Sequence, residues 1–365
     1  MFESIILIGP GTQLFPLTNS RLQITNLPIL NRPLLEHNIE FLLPISKKIF
    51  VVILEENRKN IENICSKYNY AVQIVGIPCY DGIVASISRI GKMITSENLI
   101  VTKGDLITNI KIEDIARKYL AKKSYFLSML SETKNESTTV GFREDSLLFY
   151  STKLVNDFPN DLFTMSHVTL SRELDTVEFY MFKRTMLPLF DGGSFGLKQN
   201  LLPKIVEDLR NVNPVSLYCD PDAMIYQVKD KESYININKL LKLKARTGNN
   251  AIFDKSKQKE VKQYIKKNQL EDFTNYMCDV CIGEQCIVIN SILGNEVNIL
   301  NNTKVFSSII MGNCRIGANC IIERCIIGFD VDIKPESTLI DCVVSSGYHF
   351  EDQIQGSEDI FNVIK

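Results

Sequence analysis

Short apolar runs alternate with stretches of helical period through the first two-thirds of the chain. Ser4-Ile5-Ile6-Leu7-Ile8 is apolar at nearly every position and stops at Gly9. A run with no polar face predicts a strand covered on both sides, as in a parallel sheet. Ile49–Leu54 reads the same way, and Ala71–Val75, Asn98–Thr102 and Tyr125–Leu130 are further strands. Between them, Leu34, Leu35, Asn38, Ile39 and Leu42 follow Pro33 near helical spacing, which suits a first turn opened by proline. Asn57–Tyr68, Ala85–Ile94 and Ile112–Ala121 complete the helices of this half. Strand–helix alternation at this interval predicts βαβ units and a mostly parallel, Rossmann-like sheet. Thr138–Phe142 and Val177–Met181 suit an antiparallel extension, followed by helices over Asn200–Leu209 and Glu232–Leu243.

Beyond residue 278 the helical period gives way to a six-residue one with occasional fives. Ile282, Val288, Leu293, Ile299, Val305, Met311, Ile316, Ile322, Ile327, Ile333 and Leu339 mark it, often followed by Gly or another small or polar residue. Three hexapeptides make one triangular coil, and each coil covers the apolar edge of the next. The expectation is a left-handed parallel β-helix, with glycine helping the corners turn. The resulting division is a nucleotide-binding type of domain at 1–243, a Lys/Gln/Asn-rich linker at 244–277, the β-helix at 278–346 and a polar tail at 347–365.

Composition narrows the class. The chain has 365 residues, with 41 basic against 43 acidic and 45% hydrophobic. That balance lacks the basic footprint of a nucleic-acid binder, and no apolar stretch approaches the ~18 residues of a membrane span. The N-terminus shows no basic n-region, so the expectation is a cytosolic protein with no direct nucleic-acid or membrane partner. Ten cysteines spread over such a length read as reduced thiols. Cys278, Cys281 and Cys286 are the tightest group, but a structural zinc takes four ligands. Buried small hydrophobes are the better reading, and no metal is expected.

The first strand runs into Gly9-Pro10-Gly11-Thr12-Gln13-Leu14-Phe15-Pro16-Leu17-Thr18. Glycines after a strand let backbone N–H groups approach a phosphate. The segment resembles the GxGTRLxPLT signature of sugar-phosphate nucleotidyltransferases, and Leu27-Pro28-Ile29 with Arg32-Pro33 resembles the segment that follows it in that family. The resemblance implies nucleotide binding at Gly9, Gly11, Thr12 and Asp105. Departures from the pattern also carry information. Gln13 stands at the family's triphosphate-binding arginine, and Leu22-Gln23-Ile24 replaces its Pro-Lys. Gln227 stands at the second of two magnesium-binding aspartates, the first being Asp105. An amide cannot replace a bidentate guanidinium and is a poor magnesium ligand. Read together, these substitutions predict no catalytic residues and no cofactor, with residual nucleotide or sugar-nucleotide binding left to the remnants.

Within the superfamily, Gly104–Ile110, Ser233–Asn238 and Val343–Tyr348 resemble segments of the gamma-type subunits of translation initiation factor 2B, a guanine-nucleotide exchange factor. That resemblance implies a non-catalytic subunit that pairs with an epsilon-type catalytic subunit and positions the initiation factor two GTPase. Length favours gamma over epsilon, whose helical catalytic domain follows the β-helix. The alternative is a sugar-nucleotide pyrophosphorylase, such as GDP-mannose pyrophosphorylase, or its regulatory subunit.

Overall fold

The computed structural model describes residues 1–9, 11–19, 22–133, 137–153, 155, 158–191, 196–247, 269–271 and 279–362. The chain opens with β1 (Phe2–Leu7), β2 (Pro28–Ile29), β3 (Arg32–Pro33), α1 (Leu34–Leu42), β4 (Ser46–Leu54), α2 (Arg58–Ser66) and β5 (Val72–Ile77). There follow α3 (Ile83–Gly91), β6 (Asn98–Lys103), β7 (Leu106–Thr108), α4 (Ile112–Ala121), β8 (Phe126–Glu132), β9 (Thr139–Arg143) and β10 (Ser146–Ser151). Then come α5 (Asn160–Thr164), β11 (Thr169–Ser171), β12 (Leu174–Lys183), α6 (Leu202–Leu209), β13 (Val215–Tyr218), β14 (Ile225–Gln227) and α7 (Lys231–Thr247).

Two compact units divide these elements. The first comprises Met1–Pro10 and Leu35–Gln227, the second Gly11–Leu34 and Val228–Lys365. The sequence places a single boundary after residue 243. Instead, α7 and the segment from Gly11 to Leu34 fold with the C-terminal coils.

In the first unit a ten-stranded sheet runs β11-β9-β10-β13-β8-β12-β6-β1-β4-β5. β1 pairs in parallel with β4 and with β6, and β4 with β5. Every residue of β1 is buried, as expected of a strand with helices on both faces. β12 runs antiparallel to both β6 and β8, which supplies the antiparallel extension. The chain leaves β1 toward β4 on one side and reaches β6 on the other. The β1/β6 boundary is therefore the topological switch point, where open α/β sheets hold their ligands.

The second unit ends in the left-handed parallel β-helix. Its three sheets are built from β15 (Gln269–Glu271), β16 (Cys281–Ile282), β17 (Ile287–Ile289), β18 (Ile292–Leu293), β19 (Asn298–Ile299), β20 (Lys304–Phe306), β21 (Ile309–Ile310) and β22 (Arg315–Ile316). They continue with β23 (Ile321–Glu323), β24 (Ile326–Ile327), β25 (Asp332–Ile333), β26 (Thr338–Ile340), β27 (Val343–Val344), β28 (Gln355–Ser357) and β29 (Ile360–Phe361). Ile287 pairs with Lys304, Lys304 with Ile321, and Ile321 with Thr338. The repeat is 17 residues per coil, two sixes and a five.

Three expectations about this region need correction. First, among the described residues of the coils glycine turns one corner, Gly347 at φ 73°, and the other corners are turned by larger residues. The left-handed corner positions are held by Gln285, Asn302, Asn319 and Glu336 on one edge and by Asn290, Ser307, Arg324 and Asp341 on another, all at positive φ. Other glycines sit where the next coil's backbone passes closest. A Cβ on Gly317 would lie 2.4 Å from the Pro335 nitrogen, and one on Gly328 2.4 Å from the Ser346 nitrogen. Second, the described part of the expected tail, 347–362, is not a tail. β28 pairs with β26 and β29 with β27, while Phe350 and Phe361 rings meet at 5.1 Å. Glu351, Asp352, Glu358 and Asp359 face solvent, while Phe350 is buried and Phe361 packs on the core, so a polar composition still closes a coil. Third, the expected linker 244–277 contributes Lys244–Thr247 to α7 and Gln269–Glu271 to the first coil; its other residues lie outside the described ones.

The cysteine reading holds for this stack. Cys286, Cys314, Cys320, Cys325 and Cys342 are buried in it. Their thiols donate to carbonyls of the coil, as Cys314 Sγ does to Gly328 O at 2.9 Å. Thr303, Ser308 and Ser337 stand one coil away from Cys286, Cys325 and Cys320 and donate to carbonyls through hydroxyls. Cys281 is exposed and Cys278 lies outside the described residues.

Candidate active site

The structure distributes the residues singled out by sequence over both units. Gly9, Asp105 and Gln227 belong to the first, Gly11, Thr12, Gln13 and Gln23 to the second. In the second unit Gly11 adopts φ 65° and ψ 25°, opening a short turn over Thr12–Leu14. Its carbonyl accepts the Thr18 hydroxyl at 2.7 Å. Thr12 and Gln13 are exposed and Gln23 is half-buried.

In the first unit the site gathers at the C-terminal ends of β1 and β6. Gly9 follows β1, and a Cβ there would lie 3.9 Å from the Tyr80 hydroxyl. Gly104 follows β6; its N–H donates to Leu7 O at 3.1 Å, tying the two strand ends together. A Cβ on Gly104 would stand 2.5 Å from the Ile8 side chain, so the close approach excludes larger residues. Asp105 comes next and is buried. Gln227 Nε2 donates to Asp105 Oδ1 at 3.3 Å and to Val177 O at 3.0 Å. The structure thus joins Asp105 with Gln227, but the amide acts as a donor orienting the carboxylate.

Further groups stand here that sequence reasoning missed. β12 carries a register shift between Thr176 and Tyr180 against β8, and within it Glu178 takes φ 54°. A non-glycine residue in the left-handed region inside a strand is uncommon, and bulges beside active sites re-aim side chains. Here the bulge turns the buried Glu178 carboxylate onto the Lys103 ammonium at the end of β6. Burial alone would push the Lys103 pKa down; the Glu178 charge, helped by Asp105, outweighs it and holds the ammonium above its ordinary range. Burial pushes the Tyr80 phenol up, and the two carboxylates add to this against the opposing Lys103 charge, so the phenol stays neutral. At the start of the bulge Lys198 pairs with Asp175, which also accepts the Tyr150 hydroxyl at 2.7 Å. A visible signal existed: Lys103 is the one charge of β6, and Glu178 interrupts the apolar run Val177–Phe182 of β12.

One buried carboxylate with phosphate oxygens completing the shell is a donor set that Mg²⁺ accepts, since it is often held by one or two carboxylates plus substrate phosphates. Asp105 fits that role without a second aspartate at Gln227.

Comparison with known proteins bears on the identity. Residues 3–142 match the Nucleotidyl transferase family model, and residues 265–360 match the GMPPB C-terminal domain. No curated protein matches the chain. The expectation of a degenerate, non-catalytic chain is overturned by this pairing of domains, which is the architecture of a sugar-nucleotide pyrophosphorylase. That expectation counted cations only at the signature positions Gln13 and Gln23, whereas Lys103 stands two residues before Asp105 and is held there by Glu178 from β12. The assignment to the gamma-type branch is also displaced. Its three segments do fold-level work: Asn109 Oδ1 accepts Met224 N, Ser233 caps α7 from Lys229 and Asp230, and Val343–Val344 is a coil strand. By fold and by the two matched regions, the chain is similar to sugar-phosphate nucleotidyltransferases over residues 3–142 and to the GMPPB C-terminal domain over residues 265–360.

Proposed function

We propose that the protein is a sugar-nucleotide pyrophosphorylase. The observation that carries this reading is the pairing of a nucleotidyl transferase domain with a GMPPB C-terminal domain on one chain. The geometry around Asp105 at the sheet's switch point supports it.

In this reaction an oxygen of a sugar 1-phosphate attacks the α-phosphorus of a nucleoside triphosphate. The bond from that phosphorus to the bridging β-phosphate oxygen breaks, and pyrophosphate leaves with the electron pair. Catalysis rests on positioning and on neutralising phosphate charge. Mg²⁺, when bound, supplies part of that neutralisation. Asp105 would hold it, and Gln227 fixes the carboxylate's orientation by its hydrogen bond. Lys103 offers a cation near Asp105, kept protonated by Glu178. Neutral Tyr80 offers a hydroxyl donor beside Gly9. GDP-mannose synthesis from GTP and mannose 1-phosphate is the specific form suggested by the C-terminal domain match.

The test is direct. Purified chain with GTP, mannose 1-phosphate and Mg²⁺ should release pyrophosphate, and Asp105→Asn should slow the release by about 10²–10³-fold. Absence of turnover with every common nucleoside triphosphate and hexose 1-phosphate would overturn the reading. Recovery of the native chain with an epsilon-type exchange-factor subunit, in place of turnover, would favour the exchange-factor assignment.

A further inference from the structure

Within the second unit, one sheet of the β-helix is covered from outside. The strands β18, β21 and β24 are buried at both of their positions, whereas β17, β20 and β23 expose or half-expose their flanking residues. The outward side chains Ile292, Ile309 and Ile326 are 4%, 7% and 1% exposed. Helix α7 lies against this face and leaves a cavity of about 230 Å³ between itself and the coils.

The cavity has two kinds of wall. Its floor is aliphatic, made by the three isoleucines and by Ile235 of α7. Its rim is polar and carries net positive charge. Lys231 and Lys239 stand on α7, while Asn290, Ser307, Arg324 and Asp341 come from successive corners of one edge. Arg324 is fixed by Asp341, its Nε and Nη2 both at 2.7 Å from the carboxylate. Arg324 also pairs with Glu323, so this cluster carries one negative charge, and against the two lysines one positive charge remains. Lys239 makes no ion pair among the described residues, and Lys231 contributes to holding the Asp341 carboxyl below its ordinary range, after the larger effect of Arg324.

We infer that this cavity is a binding site for a small phosphate monoester with a short carbon skeleton, separate from the Asp105 site. Two ammonium groups with amide and hydroxyl donors beside them suit a phosphate dianion, and the aliphatic floor suits the carbon atoms behind it. The volume lies below the roughly 300–1,000 Å³ of pockets for drug-sized ligands, which excludes a whole nucleoside triphosphate. The inference does not depend on the reaction proposed above.

Glucose 6-phosphate and inorganic phosphate serve as probes, titrated calorimetrically into the full chain. Glucose 6-phosphate should bind, more tightly than inorganic phosphate because of the floor. The double variant Lys231→Ala/Lys239→Ala should weaken it by tenfold or more, since each lysine supplies a charge-assisted hydrogen bond to the phosphate. Ser307→Asp, which adds a negative charge at the rim, should do the same, while Asp105→Asn should leave binding unchanged. Unaltered affinity in both rim variants, or binding abolished in Asp105→Asn, would overturn the site, as would no binding of either probe at millimolar concentration. Pyrophosphate release by the rim variants, assayed separately, reports on the Asp105 site alone.

Discussion

The Lys103 ammonium at the end of β6 rests on the carboxylate of Glu178, a residue held in the left-handed region inside β12. Backbone strain and ion pair are linked: the unusual φ aims the carboxylate, and the pair repays part of the conformational cost. Replacing Glu178 separates the two effects. Glu178→Ala should destabilise by roughly 2 kcal/mol or more, because Lys103 loses its partner at a partly buried position. Glu178→Gly should be less damaging by about 1 kcal/mol, because glycine adopts positive φ freely. Urea unfolding of the two variants measures the difference; equal stabilities would show that the conformation at 178 carries no cost.

Glu3 offers a pH-dependent test at the opposite end of the sheet. Its carboxylate accepts Thr95 N at 2.7 Å, Ser96 N at 2.8 Å and the Thr95 hydroxyl at 2.9 Å. Burial opposes the charge, but these donors outweigh it and hold the carboxyl below its ordinary value of 4.5. The stabilisation is therefore fully present above that value and disappears as pH falls through the lower folded-state pKa. Glu3→Gln should cost roughly 1–3 kcal/mol at neutral pH. Its gap from the natural protein should shrink below pH 4.5 in denaturant titrations.

The β-helix separates two uses of small residues. Gly317→Ala would place a methyl group 2.4 Å from the Pro335 nitrogen, so the coils must part, at a cost of about 3 kcal/mol. Asn319→Gly changes a corner already at φ 59° and should move stability by less than about 1 kcal/mol. Thermal melts of the two variants should rank them in that order.

Thiol reactivity should follow burial. Burial pushes Cys314 and Cys325 up to about 12, while Cys79 and Cys281 are exposed. Native protein treated with iodoacetamide at about pH 8 should carry label at Cys79 and Cys281 first. Modification of Cys314 and Cys325 should require unfolding, as peptide mass spectrometry would read.

Gln227→Asp should convert a hydrogen-bond donor into a second carboxylate beside Asp105. Two like charges at that distance raise each other's pKa, and a divalent cation relieves the repulsion. Mn²⁺ affinity, followed by electron paramagnetic resonance, should rise about tenfold in the variant.

Much of the architecture was legible because each element repeats its own pattern. The apolar run before Gly9 marked β1, and the six-residue spacing marked the coils. The spacing also shows where reading fails. Met311 continues a strict six, yet Ile310 is the residue in the stack, because one side of each coil has five residues and shifts the register. The candidate site was legible in part. Gly9 and Asp105 each stand after an apolar core strand and could be placed, while the pairings of Lys103, Glu178 and Lys198 could not. Their meaning lies in pairings across 75 and 23 residues of chain, between strands whose neighbourhood no local pattern encodes.

By itself the sequence determined which segments are buried on two faces, which on one, and where the helical period ends, because burial demands follow directly from side-chain polarity. Tertiary structure alone decided that Gly11–Leu34 and α7 belong with the coils, that residues 347–362 close a coil rather than trail from it, and that Glu178 pairs with the Lys103 ammonium near Asp105. Those outcomes depend on which distant surfaces meet, and a chain of side chains specifies that only through the whole packing it forms.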